Sequence, residues 1–355
     1  MKQRITLREI SELTGLSTFS VSQALNGGKG VSVETRKKVL KVANNIGYIA
    51  NQAAQELRGS FRSSIAVITA GTSNVYYLDM MNGIQSIIQD TSYSVMLMDI
   101  AVNGVYDEEL EDRTIQRLLE ARISGVISTL ALKLESIERL ERWGVPIVFV
   151  DSLPPLEKSY LPSVTTDNYN ASLLVGKHLS DHGYKNWLFL AYPDIWSSSK
   201  DRRHGLCDAA KQSNANIQII ESPNDALSAE KVLTEFFYEQ GDAMPDILIT
   251  GNSPILLGAL TCIRKLKISI PNDVAIISYD DFPWASFIEP ALTVLDERSE
   301  EVGRRAAKIL MQIIDEKIKP NVNENLAPKY PKEFIQQVSV DLIVRQSCGC
   351  KKNNK

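Results

Sequence analysis

From Ser64 onward, short apolar runs alternate with amphipathic stretches of helical period, and few architectures accommodate that rhythm. The runs are Ile65-Ala66-Val67-Ile68, Tyr93-Ser94-Val95-Met96-Leu97-Met98, Gly125-Val126-Ile127-Ser128 and Pro146-Ile147-Val148-Phe149-Val150. Further along come Trp187-Leu188-Phe189-Leu190, Ile217-Gln218-Ile219-Ile220, Asp246-Ile247-Leu248-Ile249 and Val274-Ala275-Ile276-Ile277. A strand covered on both faces reads as a near-continuous apolar run, so the pattern predicts parallel sheets flanked by helices. Ligands in such sheets bind beyond the carboxyl ends of the strands. The residues there are polar or aromatic: Gly71, Thr72, Ser73, Asn74, Tyr76 and Tyr77 after the first run, Asp99 after the second, Asp151 and Ser152 after the fourth. Asn252 and Ser253, then Tyr279, Asp280 and Asp281, hold the same place further on. Hydroxyls, carboxylates and aromatic faces suit a small hydroxylated ligand, although Asn, Asp, Ser and Gly also dominate turns for backbone reasons alone.

The first 62 residues differ in character. They hold ten Lys/Arg against four acids, a net +6, within a chain of 355 residues whose total is −4, so the remainder stands at −10. A basic head on an acidic body is expected where one module meets a polyanion and the other does not. At ~100–200 residues per domain the length predicts two or three domains. With 44% hydrophobic and 23% charged residues, wholesale disorder and fibrous designs are excluded. No run approaches the ~18 consecutive apolar residues of a membrane helix and the first residues carry no apolar leader, so a cytoplasmic protein with no membrane partner is expected. Cys207, Cys262, Cys348 and Cys350 are too few for a disulfide scaffold, and none has C-x-x-C spacing, so reduced thiols are expected.

Within the head, two short helical patterns flank a glycine. Thr6 caps the first with Glu9 three residues on, and Leu7, Ile10 and Leu13 follow at helical spacing up to Gly15. Ser17 caps a second helix whose inward stripe is Val21, Ala24 and Leu25. This helix-turn-helix pattern leaves Thr18, Phe19, Ser20, Ser22 and Gln23 where such motifs face the major groove. Small hydroxyls suit phosphates, and Gln23 has the donor and acceptor pair that matches adenine. A third helix is predicted from the Ser32 cap to Asn45, closing at Gly47. It packs Val39, Leu40, Val42 and Ala43 inward, with Arg36, Lys37, Lys38 and Lys41 on its exposed side. The loop at 26–30 lacks Walker spacing and follows a helix, so it reads as a turn rather than a phosphate cradle.

Thr6-Leu7-Arg8-Glu9-Ile10, Gly15-Leu16-Ser17, Val21-Ser22-Gln23-Ala24-Leu25-Asn26, Val31-Ser32-x-x-Thr35-Arg36, Ile46-Gly47-Tyr48 and Asn51-x-Ala53-Ala54-x-x-Leu57-Arg58 together resemble the DNA-binding head of the lactose-repressor (LacI/GalR) family of transcription regulators. The resemblance implies base contacts from Thr18, Phe19, Gln23 and Leu57, and backbone contacts from Thr6, Ser17, Ser20, Ser22, Asn26, Tyr48 and Asn51. It also implies a hinge helix at 51–58 whose Leu57 wedges into a minor-groove base step, kinking the duplex. Two departures matter. Gln23 stands where the family usually has arginine, which predicts a different operator base. Ala50 replaces the proline common before the hinge asparagine, leaving a less rigid linker.

The body resembles the same family, whose regulatory part is similar to a type I periplasmic sugar-binding protein of two lobes. Ser73-Asn74-Val75-Tyr76-Tyr77, Val164-x-x-Asp167-Asn168, His178-Leu179-x-x-His182-Gly183-Tyr184, Asp201-Arg202-Arg203-His204-Gly205-Leu206 and Ile276-Ile277-Ser278-Tyr279-Asp280-Asp281 carry that likeness. It implies an interlobe effector site of Asn74, Tyr76, Tyr77, Asp151, Arg202, Asn252 and Asp280, with Arg202 and Asp280 on opposite sides of the ligand and the tyrosines as a wall. Departures are Asn252-Ser253 for the usual Asn-Asp, and Glu297-Arg298 where the family favours Gln-Pro, at a crossover between lobes.

An enzyme is not expected. His178, His182 and His204 are the only histidines, and His178 and His182 share a helical face without the Glu of H-E-x-x-H, so no catalytic residue, metal or cofactor is assigned. Cys348-Gly349-Cys350 is read as a frayed terminus. A stand-alone sugar-binding protein would share the body but not the basic head. The expected organisation is a helix-turn-helix domain at 1–50, a hinge at 51–62, an effector-binding and dimerisation body at 63–346, and a tail at 347–355. The first lobe is placed at about 63–163 and 293–328, the second at about 164–292 and 329–346. The expected protein is a homodimeric, sugar- or sugar-phosphate-responsive repressor of carbohydrate-use genes bound to double-stranded operator DNA. Too few residues follow the last family match for a tetramerising coiled-coil helix.

Overall fold

A computed structural model describes residues 5–25, 30–48, 64–69, 75–102, 105–194, 196–241, 243–318, 321–323 and 326–350. Asn26, Asn51, Leu57 and Asn74, and with them the expected hinge helix, lie outside the described residues. The chain divides into two units, 1–61 and 62–355.

The head comprises α1 (Leu7–Thr14), α2 (Thr18–Leu25) and α3 (Val33–Ile46). Local chemistry sets each boundary. The Thr6 amide donates to Glu9 Oε2 at 2.6 Å, closing a capping box, and Gly15 ends α1 at φ 69° with its amide on Ser11 O. Ser17 Oγ accepts the Ser20 amide at 3.1 Å, and Ser32 Oγ accepts that of Thr35 at 3.1 Å. Ile10, Val21, Ala24, Val39 and Ala43 form the core. Leu13 and Leu40, expected inside, are 60% and 41% exposed: three short helices offer too little interior to cover every apolar position on their stripes. Lys38 is not merely a surface charge, since its Nζ donates to Thr14 O at 3.0 Å and ties α3 to the end of α1.

The body begins with β1 (Ser64–Thr69), α4 (Val75–Ile88), β2 (Ser94–Asp99), a small hairpin of β3 (Ala101–Val102) and β4 (Val105–Tyr106), and α5 (Glu108–Glu120). It continues through β5 (Gly125–Ser128), α6 (Leu134–Arg142), β6 (Ile147–Val150), β7 (Ser163–Thr166), α7 (Asn168–Asp181), β8 (Asn186–Ala191), α8 (Ser197–Ser213) and β9 (Asn216–Glu221). Then come α9 (Ala226–Gln240), β10 (Ile247–Thr250), α10 (Ser253–Leu266), β11 (Ala275–Tyr279), β12 (Thr293–Asp296) and α11 (Ser299–Glu316). A hairpin of β13 (Asn321–Asn323) and β14 (Leu326–Lys329) precedes β15 (Ile335–Val338) and β16 (Asp341–Ile343).

Two sheets result, in the orders β15-β7-β6-β5-β1-β2 and β16-β12-β11-β10-β8-β9, parallel throughout except for the antiparallel β16. Strands such as β5, β6 and β10 are buried at every position, the reason they read as unbroken apolar runs. Helices α4 and α11 cross so closely over the first sheet that a Cβ on Gly83 would stand 1.9 Å from Glu300 O, and one on Gly303 2.1 Å from Met80 O.

The lobe boundaries need correction. Strand β12, placed by sequence in the first lobe, pairs with β11 in the second sheet, while β15, placed in the second lobe, pairs with β7 in the first. The chain therefore changes sheet after Thr166, after Asp296 and after Val338. Periodicity identifies a strand but carries no information about its distant partner, so the lobe of β12 and β15 is settled by pairing alone. Nor is the start of the tail frayed: Ser347 and Cys348 are fully buried, and the Ile276 amide donates to Ser347 O at 2.8 Å.

Candidate functional site: a recognition face and an interlobe acid-tyrosine cluster

On the head, α2 presents its first turn outward. Phe19 is 71% exposed and Thr18 is exposed beside it, whereas Ser20, Ser22 and Gln23 are half-buried on the same helix. Of the residues expected at phosphates, Thr6, Ser17 and Ser20 are tied into caps: Thr6 Oγ1 donates to Glu9 at 3.2 Å, and the Ser17 and Ser20 hydroxyls share a 2.9 Å bond. The Tyr48 amide closes α3 on Ala43 O at 2.8 Å.

In the body, polar groups gather where the carboxyl ends of strands from both lobes approach. Tyr76 and Tyr77, in the first turn of α4, turn their phenols to Asp151, with Tyr76 Oη donating to Oδ1 at 3.1 Å and Tyr77 Oη to Oδ2 at 3.5 Å. Burial pushes the Asp151 carboxyl up to about 6, against the opposing pull of Arg202 and the Tyr76 hydrogen bond. Burial, and then the charge of Asp151, drives both phenols well above the usual tyrosine range.

From the second lobe, Arg202 on α8 lies 98% out of solvent. Its Nε donates to Asn168 Oδ1 at 2.7 Å, and its two terminal nitrogens donate to Gly251 O and Glu297 Oε1. Its guanidinium also lies 4.2 Å from the Tyr279 ring centroid and 5.9 Å from that of Tyr192. Burial opposes the charge of Arg202, but Glu297, Tyr192 and Asp280 outweigh it and hold the group protonated. Glu297 is itself buried, and burial lifts its carboxyl well above the ordinary range, with Arg202 pulling the other way. Asp280 accepts from the Ser253 amide at 2.8 Å and from its hydroxyl at 2.7 Å. A bond from Leu153 N–H to Ser197 Oγ at 3.2 Å links the lobes beside this cluster.

Two of the expected site residues have protein partners of their own. Arg202 and Asp280 both belong to the second lobe, and the guanidinium is turned inward onto Asn168, Gly251 and Glu297. Asn252 is occupied as the cap of α10, its Oδ1 taking the Ile255 amide at 3.1 Å and its Nδ2 donating to Asn224 at 2.8 Å. The residue the sequence reading undervalued is Glu297, treated as part of a crossover. An arginine buried in a second-lobe helix demands a buried acid, and that electrostatic requirement was the available clue. Asn168, Tyr192 and Ser253 were likewise outside the expected site.

A helical module of this pattern followed by two parallel-sheet lobes defines a DNA-binding regulator with an effector-binding body. Residues 6–51 match the family described as "Bacterial regulatory proteins, lacI family", and residues 62–335 match "Periplasmic binding proteins and sugar binding domain of LacI family". The chain belongs to the LacI family and is a transcription regulator, not an enzyme. It is 24% identical over 321 residues to the HTH-type transcriptional repressor PurR of Pasteurella multocida (strain Pm70), covering 88% of this chain and 92% of that protein. Among solved structures, the lac repressor dimer bound to operator and the anti-inducer ONPF superposes with a TM-score of 0.80 at 22% identity, covering 98% of this chain and 99% of that one. A complex of the transcriptional regulator CelR with cellobiose gives 0.67 at 21% identity, covering 97% and 100%. The match to residues 6–51 sets aside a stand-alone sugar-binding protein. No helix among the described residues is long and apolar enough to cross a membrane.

Proposed function

We propose that this regulator is a cytoplasmic homodimeric repressor of carbohydrate-use genes, released from or recruited to its operator by a neutral sugar bound between the lobes. The supporting observation is the charge balance of the cleft: Asp151, Asp280 and Glu297 are buried acids within electrostatic reach of one guanidinium, Arg202, which is already paired with Glu297. Such a site disfavours a phosphate and favours neutral hydroxyls, which donate to carboxylates while their ring stacks on Tyr76, Tyr77 or Tyr192. This narrows the expected sugar or sugar phosphate to the neutral class. The relatedness to a repressor and the structural likeness to a cellobiose complex point the same way.

In this reading two heads bind half-sites about one helical turn apart, with Thr18, Phe19, Gln23 and Leu57 at base edges. Thr6, Ser17, Ser20, Ser22, Asn26, Tyr48 and Asn51 hold the backbone. Exposed Leu78 on α4 and Leu97 on the edge strand β2, at 55% and 47%, support pairing of first lobes. The effector alters operator affinity only by preferring one arrangement of the lobes, and operator DNA reciprocally alters effector affinity.

A thermal-shift screen of the full chain against neutral mono- and disaccharides, their phosphates and nucleobases tests the ligand class. Stabilisation by a neutral sugar is expected, with its phosphate inert. Stabilisation only by phosphates or nucleobases would overturn the neutral-sugar reading. Fluorescence anisotropy with genomic duplexes tests the head. Gln23→Ala is expected to relax preference at one base pair by about 1–3 kcal/mol.

A further inference from the structure

We propose that His178, His182, Cys348 and Cys350 form a zinc site that clasps the end of the chain to the second lobe. Their ligand atoms all lie within 4.8 Å of one another. His182 Nε2 is 3.0 Å from Cys350 Sγ, and the two imidazole rings stand 4.7 Å apart between centroids. Among the described residues His178 Nε2 is buried with no hydrogen-bond partner, an arrangement that ordinary packing avoids and a metal would relieve.

The sequence obscured this site because its halves are 166 residues apart and Cys-x-Cys is shorter than usual zinc spacing. The fold supplies what the spacing lacks. His178 and His182, at i and i+4, project from the carboxyl end of α7 on one face. The cysteines arrive on a segment already fixed in place: Ser347 Oγ donates to Ile276 O at 2.7 Å and accepts the Thr293 amide at 2.8 Å. Gly349 at φ 85° lets the chain turn between the two thiols, where a Cβ would come within 2.7 Å of Tyr184 Oη. Outer contacts also suit a metal site. Tyr184 Oη donates to Cys348 O at 3.0 Å and stacks on His182, and Thr293 Oγ1 donates to Cys348 Sγ at 3.1 Å.

Two thiolates and two imidazoles make a tetrahedral S2N2 set, which selects zinc over the oxygen-loving divalent ions. With bonds of about 2.0–2.3 Å, a zinc tetrahedron has edges of about 3.3–3.8 Å, so side-chain rotation has to draw the longest separation in and open the 3.0 Å His182–Cys350 contact slightly. Four protein ligands leave no open position, and the role is therefore structural rather than catalytic. The site lies at the opposite end of α7 from Asn168, which bonds Arg202 in the cleft, about 15 Å away along the helix.

The test uses the full chain, purified under reducing conditions, loaded with Zn²⁺ and dialysed. One zinc per chain by elemental analysis is expected, and Co²⁺ substitution is expected to give thiolate charge-transfer bands with intense tetrahedral d–d bands. Alkylation followed by peptide mass spectrometry is expected to show Cys348 and Cys350 protected until a chelator is added, with Cys207 reactivity unchanged. The Cys348→Ser/Cys350→Ser variant is expected to lose the metal. His182→Gln, which alters an exposed ligand, is expected to weaken binding at least tenfold with an unchanged circular dichroism spectrum. Absence of stoichiometric zinc, alkylation indifferent to chelation, or a Cys348–Cys350 disulfide in the zinc-loaded reduced protein would overturn the proposal.

Discussion

Asp151 and Asp280 stand at matching places in the two lobes. Each follows the third strand of its sheet order, β6 or β11, each adopts a left-handed backbone at φ 64° and 69°, and each is buried. Aspartate tolerates that conformation better than most side chains, and it turns the carboxylate back over the strand end. Their support differs. Asp280 is held by Ser253, whose amide opens helix α10, whereas among the described residues Asp151 is held through side-chain donors on Tyr76 and Tyr77. A carboxylate facing a helix start is fixed by backbone; one facing two phenols can exchange those donors for a ligand's hydroxyls. The second lobe thus provides a rigid anchor, and the first an adjustable acid.

The largest expected effect comes from removing the buried cation of the cluster, the partner of Glu297. Arg202→Met strands Glu297 and leaves Asn168 and Gly251 O without their donor, so a destabilisation of about 3–5 kcal/mol is expected from urea unfolding, together with loss of effector response. Glu297→Gln keeps an acceptor for Arg202, and the charge of Asp280 remains to offset the guanidinium, so its loss should be smaller than that of Arg202→Met. It also restores the residue that the family favours. Equal losses in the two variants would show that the ion pair, rather than the geometry around Arg202, organises the cleft.

The head and the strands were legible because their determinants are local. Thr6 with Glu9, Ser17 with Ser20 and Ser32 with Thr35 all act over three residues, and each predicted cap forms. Strands buried on both faces announce themselves in composition. What could not be read is pairing over long separations. Glu297 meets Arg202 across 95 residues, β15 joins β7 rather than its neighbour β16, and Cys350 meets His182 across 168 residues. Family likeness brought Arg202 and Asp280 to notice, but it could not show that Arg202 is turned inward. That depends on Asn168, Gly251 and Glu297, partners that lie 34 to 95 residues from Arg202.

The second effect is pH-dependent and separates the two acids. The folded carboxyl of Asp151 titrates at about 6, above its ordinary 3.8, so the folded state holds its proton more tightly. The sign follows: this group's contribution to stability is fully present below about 4 and is lost as pH rises through about 6, up to about 3 kcal/mol. Asp151→Asn cannot ionise. Its stability should equal the parent's near pH 4 and exceed it increasingly toward pH 7, as read from urea midpoints along the series. A gap independent of pH would mean that Asp151 is not the adjustable acid.

The smallest effect distinguishes phenol support from backbone support. Tyr76→Phe removes a buried donor to Asp151 and should cost about 1–3 kcal/mol at pH 7 while weakening effector binding. Ser253→Ala removes one of two donors to Asp280 but leaves the 2.8 Å amide bond, so a loss near 0.5–1 kcal/mol is expected. Effector binding also bears on the order of the two variants. If hydroxyls of the ligand replace the phenol at Asp151, saturating effector should narrow the stability difference between parent and Tyr76→Phe while leaving the Ser253→Ala difference unchanged. A Ser253→Ala loss as large as that of Tyr76→Phe, or equal rescue of both by effector, would erase the distinction between an anchored acid and an adjustable one.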